Sequence, residues 1–382
     1  MSLEKEMSRR DFLKFLGVGG FSLFLGTEKF KSPEFLSFQR LDGTIGINGG
    51  HLLGSEFDRP GASIRIPLNR QAFDPQERIP KEISERQLDP FYSTGEKLRS
   101  FRLRGGKITL VIEMDAIDVV DTPEHLAKMF LYANGFLYLD KGDRVIMGNE
   151  HNCRNYPIDI YIRQASGLYR FIKNTNPEIE VGLEGEAWYG EGEYFKELLQ
   201  GFRKENVFPF DLVPINFYGR PEELPERMAL YRKIMKDFKL DKPILIGEMG
   251  VRVSDNPEQE EPSYSGEIII SPEEQADAIW KYFCFAKLSG CQSAFWFCAQ
   301  DDPENRQWPK YGLMDAKGIF RSGAKAMYYI QSLLNQARII NYQKNKDLIE
   351  FRLLNPWSQL SVSWSRKSKE ILGGAVRVSL RD

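Results

Sequence analysis

Two glutamates stand where an apolar run ends. In "DRVIMGNEHN" (Asp143 to Asn152) the run from Val145 to Met147 stops at Gly148, and Asn149 and Glu150 follow at once. In "KPILIGEMGV" (Lys242 to Val251) the run from Ile244 to Ile246 passes through Gly247 into Glu248. Burying an unpaired carboxylate is costly, so carboxylates on the two most apolar segments need a reason. A facing pair of carboxyl groups is what glycosidic cleavage requires. One acid protonates the leaving oxygen, and the other supports or attacks the oxocarbenium-like carbon. Taken alone, either glutamate reads as an ion-pair residue at a strand end.

Other chemistries find less support. His51, His125 and His151 show no H-E-x-x-H spacing, and Cys153, Cys284, Cys291 and Cys298 form no C-x-x-C pair, so neither a metal nor an organic cofactor is expected. The cysteines read as buried free thiols; the last three lie seven apart only because the chain crosses there from a helix into a strand. A net charge of −2 creates no global field to attract nucleic acid. With 42% apolar and 28% charged residues, the chain can bury a substantial core.

The elements that must carry the two glutamates alternate. Apolar or β-branched strands are expected at Gly43–Gly49, Gly61–Asn69, Gly106–Asp115, in "RVIMGNE", from Glu178 onward, at Phe210–Gly219, in "PILIGEMG" and in "CQSAFWFCA". Helices are expected after Thr122 and Pro123, over 158–174, over 222–238, from a capping box at Ser271 and Glu274 to a stop at Gly290, and near 322–336. Eight buried strands alternating with helices in roughly 300 residues suit an α/β fold, a closed (β/α)8 TIM barrel, better than an open doubly wound sheet. The G-x-G-x-x-G of the open alternative is absent after the first strand. From about Arg338 the pattern changes to alternating apolar and polar residues around "NPWS", a small C-terminal antiparallel β extension. The domain reading is therefore a barrel over 41–337 and an extension over 338–382.

In such a barrel, functional groups come from the C-terminal ends of several strands. Glu150 closes strand four and Glu248 strand seven, 98 residues on, a spacing of three βα units. Trp188, Tyr189, Trp308 and Tyr311 are loop aromatics that could stack on sugars, and His51, after strand one, could contact a distal one. Glu113, Asp115, Glu184 and Glu186 follow strands three and five. The long acidic loop 254–267 follows strand seven and could border a cleft.

Over roughly residues 43–336 the chain resembles the clan A glycoside hydrolases, nearest in style to families 5 and 39. The resemblance implies that Asn149 binds the substrate 2-hydroxyl, that Glu150 is the general acid/base and that Glu248 is the nucleophile. It implies that Arg65 in "SIRIPL" orients the nucleophile, that Asn216 and Tyr218 in "INFYG" line the site, and that Trp296 in "AFWF" floors the sugar subsite. Two positions depart from the family pattern: His151 stands where a proline often follows the acid/base, and Asn216 where a histidine often precedes the tyrosine. The roles require Glu150 to stay protonated near neutral pH, in apolar or anionic surroundings, and Glu248 to be ionised beside Arg65. The expected activity is retaining cleavage of β-glycosidic bonds in an oligo- or polysaccharide, without metal or cofactor. A non-catalytic carbohydrate-binding barrel is the alternative, and a metal-dependent hydrolase would need more histidines than the chain has.

The segment "SRRDFLKFLGVGGFSLFLG", from Ser8, resembles the twin-arginine export signal, with Arg9 and Arg10 ahead of a weakly apolar, glycine-containing run. That run is shorter than the ~20 residues that span a bilayer comfortably. Residues 1–30 are thus read as a targeting segment outside the fold, recognised by the twin-arginine machinery. The expected destination is periplasmic, extracellular or membrane-anchored through this segment.

Overall fold

The computed structural model describes residues 45–48, 62–68, 101–103, 105–112, 114, 122–151, 156–186, 192–263, 267–301, 310–335, 337–346, 348–355, 358–365 and 376–381. The export segment, His51, Trp188, Tyr189, Trp308, Glu113, Asp115 and Cys153 lie outside these residues. The chain divides into two units, one of which is residues 41–335; the other includes residues 336–382.

In the first unit, the aliphatic runs form strands β1 (Ile45–Asn48), β2 (Ala62–Leu68), β3 (Lys107–Ile112), β4 (Arg144–Met147), β5 (Glu180–Gly182), β6 (Val213–Phe217), β7 (Ile244–Met249) and β10 (Ala294–Trp296). They make one parallel sheet in the order β5-β4-β3-β2-β1-β10-β7-β6. The end strands of that order, β5 and β6, are themselves linked by parallel bridges between Gly182 and Leu212 and between Glu186 and Ile215. Five fully buried residues on five chain segments, Val111, Ile146, Leu212, Leu245 and Phe295, meet on one face of this sheet. Parallel strands buried on both faces need such continuous apolar runs.

Helices α1 (Pro123–Leu137), α2 (Ile158–Thr175), α3 (Glu193–Lys204), α4 (Leu224–Asp237), α5 (Gln275–Leu288) and α6 (Ser322–Leu333) follow strands β3 to β7 and β10. Helix α1 starts as its sequence dictates: the Thr122 hydroxyl accepts from the His125 amide at 3.2 Å, and Pro123 takes a position where no amide hydrogen is needed. Helix α5 begins one turn later than its capping box implies. Ser271 and Glu274 do exchange hydrogen bonds, at 2.9 and 3.4 Å, but they close a turn ahead of the helix. Two short strands that the pattern did not predict, β8 (Arg252–Val253) and β9 (Ile269–Ile270), pair in parallel and bracket the acidic loop.

One irregularity decides where Glu248 points. Along the β6–β7 pair, Pro214 faces Leu245 and Ile215 faces Ile246, but Asn216 faces Glu248. Gly247 is therefore an extra residue on β7. A strict two-residue alternation would turn Glu248 away from the face that carries Leu245; the bulge turns it back.

In the second unit, β11 (Arg338–Lys344), β12 (Leu348–Leu354), β13 (Gln359–Ser365) and β14 (Arg377–Arg381) form an antiparallel sheet in sequence order. Ile349, Phe351, Leu353, Leu360, Val362 and Trp364 are buried, alternating with more exposed neighbours. That alternation of period two is what an antiparallel sheet with one covered face requires.

Candidate functional site

The chain leaves β4 through a tight turn. Gly148 has φ 98°, and a Cβ there would lie 2.5 Å from the His151 ring, so only glycine fits. Glu150 also takes a left-handed conformation, φ 54°, at a cost of about 1–2 kcal/mol for a residue with a side chain. The Gly148 amide donates to the Ile112 carbonyl at 2.8 Å, and the Glu150 amide donates to the Gly185 carbonyl at 2.9 Å. These bonds tie the turn to the ends of β3 and β5 and hold the Glu150 carboxyl over the C-terminal ends of the strands.

Both glutamates belong to one hydrogen-bonded chain. Arg65, on β2 and buried, donates through Nη1 to Glu248 Oε1 at 2.5 Å and through Nη2 to Asn149 Oδ1 at 3.0 Å. Asn216, on β6, donates through Nδ2 to Asn149 Oδ1 at 3.3 Å and to Glu150 Oε1 at 2.9 Å. Tyr218 donates to the other oxygen of Glu248 at 2.5 Å. Asn216 has room for this because Gly185 and Gly247 flank it: a Cβ at either would come within 2.7 or 2.9 Å of its Oδ1. Arg65, Asn149, Glu150, Asn216, Tyr218 and Glu248 thus converge from strands β2, β4, β6 and β7.

The two carboxyls differ electrostatically. Burial, then the nearby charge of Glu248, pushes Glu150 up to about 7, against the partial offset of the Asn216 hydrogen bond and Arg65. Glu150 is therefore largely protonated below neutral pH. Glu248 has a guanidinium on one oxygen and a phenol on the other, a setting that compensates a negative charge. Burial raises the Tyr218 hydroxyl well above its ordinary value, and the charges of Glu248 and Glu150 add to this, so it remains a donor.

The expectation for Trp296 is corrected. Its indole is fully buried, edge-on to Tyr282 of α5 at 5.7 Å between ring centroids, and offers no face to a sugar. The alternation along "AFWF" explains this: Phe295 points into the sheet's buried cluster, so Trp296 points to the helix side and Phe297 returns to the first face. Phe297 is partly exposed and lies edge-on to Tyr218 and Tyr311, at 6.1 and 5.8 Å. Tyr311 is likewise buried rather than open, and its hydroxyl donates to Glu267 at 2.5 Å. The acidic loop is held by ion pairs from Arg252 to Glu260 and Glu267 and from Lys310 to Glu260.

The two buried carboxyls that follow β5, Glu184 and Glu186, have different partners. His151 is fully buried, and its amide donates to Glu184 Oε2 at 2.6 Å. Glu186 lies one bridge from β6 and accepts a hydrogen bond from Tyr231; burial is the main cause of its raised pKa. Among the described residues no group of histidine, cysteine and carboxylate side chains could hold a metal ion, and no helix is long and apolar enough to cross a membrane.

No family model matches the chain, and no curated protein matches it in sequence. Solved structures do resemble it. A family 39 glycoside hydrolase from the gut symbiont Bacteroides cellulosilyticus WH2 superposes with a TM-score of 0.60 at 14% identity, covering 88% of this chain and 73% of the other. A glucosidase from Croceicoccus marinus gives 0.56 at 14% identity, over 83% and 75% of the two chains. A GH30 endoxylanase from Clostridium papyrosolvens C71 gives 0.51 at 10% identity, over 86% and 82%. At such identities the likeness is one of fold.

Proposed function

We propose that this chain is a retaining clan A glycoside hydrolase, a closed (β/α)8 barrel that cleaves β-glycosidic bonds of an oligo- or polysaccharide. The bridges between the end strands β5 and β6 support closure, and the fold it shares with three sugar-cleaving enzymes supports the class. The observation that carries the reading is the asymmetry of the glutamate pair: Glu150 raised to about 7 by burial and by Glu248, while Glu248 is bound by Arg65 and Tyr218. Two carboxyls with opposed environments at one site are how acid and nucleophile are divided.

In this mechanism Glu150 gives its proton to the glycosidic oxygen as Glu248 attacks the anomeric carbon, forming a glycosyl-enzyme. Glu150, now ionised, takes a proton from the water that releases the sugar. Arg65 and Tyr218 keep Glu248 aimed. With Asn149 Oδ1 already accepting from Arg65 and Asn216, the amide nitrogen of Asn149 is the end presented to the sugar's 2-hydroxyl. Phe297 supplies the aromatic face in place of Trp296, and Trp188 and His51 are further candidates for sugar contacts. The intact pair of carboxyls speaks against a purely sugar-binding barrel.

The test is hydrolysis of a panel of aryl β-glycosides by the wild type and by Glu150→Ala and Glu248→Ala. Both variants should lose at least about 10³-fold in turnover with a leaving group that needs protonation; activity retained in either would end the assignment. The Arg9–Arg10 segment supports export by the twin-arginine route. Replacing both arginines with lysine should stop export of a fused reporter, and continued export would refute it.

A further inference from the structure

We infer that Glu184 and His151 form a positioning pair that sets the proton donor, Glu150, and that Glu184 is a determinant of acid catalysis although it does not touch substrate. This deepens the proposed function and rests on it. The observation is a buried plug directly behind the turn that carries Glu150. The His151 side chain has no exposure, and Glu184 is 4% exposed.

The plug is held on several sides, although His151 Nδ1 itself makes no hydrogen bond. Glu184 Oε2 accepts from the His151 amide at 2.6 Å and lies 3.0 Å from His151 Nδ1. Glu184 Oε1 accepts from the Tyr194 hydroxyl at 2.7 Å. On the far side of the ring, His151 Nε2 lies 3.0 Å from the Met114 carbonyl. The ring stacks on Tyr156 at 4.4 Å and meets Tyr161 edge-on at 5.4 Å. Tyr161 locks the same two strands together: its hydroxyl donates to the carbonyl of Met147, the last residue of β4, and accepts from the Glu184 amide at 2.9 Å. Gly148 leaves the space that the ring fills.

The consequence falls on the residue between Gly148 and His151 whose backbone is left-handed. Glu150 would relax from φ 54° if its following amide were free to turn. The carboxylate of Glu184 captures that amide and so fixes the direction of the Glu150 side chain. A proline at position 151 would have no amide hydrogen to give, so here the carboxylate-bound histidine holds the turn. The charge of Glu184 also acts on Glu150, in the raising direction, together with Glu248 on β7 and against Arg65 on β2 and the Asn216 amide on β6.

The experiment compares Glu184→Gln with the wild type on two aryl β-glycosides, one with a 2,4-dinitrophenyl leaving group and one with a poor phenolic leaving group. Dinitrophenolate departs without a proton, so kcat/KM for it does not depend on where Glu150 points. The expected result is a loss of about 10- to 100-fold on the poor leaving group, the scale of a misplaced catalytic group, with less than a threefold change on dinitrophenyl. The basic limb of the pH profile should also move to lower pH. Equal losses on both substrates, or no loss on either, would overturn the inference. If Glu184→Gln fails to fold, Tyr194→Phe, which removes one bond to Glu184, should show the same selective loss at smaller size, and a non-selective result there overturns it as well. A wild type inactive on both substrates would instead bring down the function on which the inference rests.

Discussion

Replacing Glu150 with glutamine isolates the energetic cost of the proton donor. The folded value is about 7, against 4.5 for an ordinary glutamate. Each pH unit between folded and unfolded values is worth about 1.4 kcal/mol, so the ionised carboxyl disfavours the fold by roughly 3 kcal/mol once the pH exceeds 7. The sign follows from the raised value. Below pH 4.5 the acid is neutral in both states and its contribution is fully present; as pH rises, the unfolded chain ionises first, and the contribution is lost by pH 7. Glutamine keeps an oxygen for the Asn216 amide and carries no proton to lose. Urea denaturation of wild type and Glu150→Gln at pH 4 and at pH 8 gives a difference of differences in which the titrating groups that do not interact with Glu150 cancel, leaving Glu150 together with its interaction with Glu248. The variant should gain about 3 kcal/mol on the wild type between the two pH values. A gain below about 1 kcal/mol would mean that Glu150 ionises as an exposed glutamate does, and the assignment of acid to this residue would lose its physical basis.

Further outcomes follow from the same network. Glu248→Gln removes the charge that helps raise Glu150, so the Glu150 carboxyl carbon should titrate at lower pH by NMR in that variant; an unchanged value would separate the two groups. Arg65→Met strands a buried carboxylate and should cost about 3–5 kcal/mol in urea denaturation, while Arg65→Lys, unable to span both Glu248 and Asn149, should fold but lose most activity. Tyr218→Phe removes one of the two hydrogen bonds holding the buried Glu248 carboxyl and should cost about 1.5–3 kcal/mol in urea denaturation, the worth of a bond to a charged group, with kcat/KM lowered as well; an unchanged stability would show that the phenol does not hold Glu248. Gly185→Ala drives a Cβ into Asn216 Oδ1; the product should fold with its rate reduced, and full activity would show that Asn216 does not hold Glu150.

Much of this was legible in the sequence. The apolar runs that become β3, β4, β6 and β7 announce themselves by length and by aliphatic content, and the alternation in β12 and β13 announces an antiparallel sheet. Thr122 and Pro123 mark the start of α1. What was not legible depends on long-range geometry. Gly247 looks like an ordinary glycine before a glutamate, and only its pairing across β6 reveals a bulge that inverts the facing of Glu248. Trp296 attracts attention as the larger ring, yet the parity of Phe295 and Phe297 already hinted that Phe297 shares the buried cluster's face. The partnership of Glu184 with His151 joins residues 33 apart, and no local pattern encodes it. Strands β8 and β9 are too short for their periodicity to register.

The most direct measurement is covalent trapping. A 2-fluoro-β-glycoside with an activated leaving group slows release of the glycosyl-enzyme, so the labelled residue can be read by peptide mass spectrometry after digestion. The account predicts time-dependent inactivation and a single 2-fluoroglycosyl ester on Glu248, with the label accumulating also in Glu150→Gln, since an activated leaving group needs no proton to form it. A label on another residue, or the absence of any label on an enzyme that hydrolyses the parent glycoside, would contradict the pairing of Glu248 as nucleophile with Glu150 as acid.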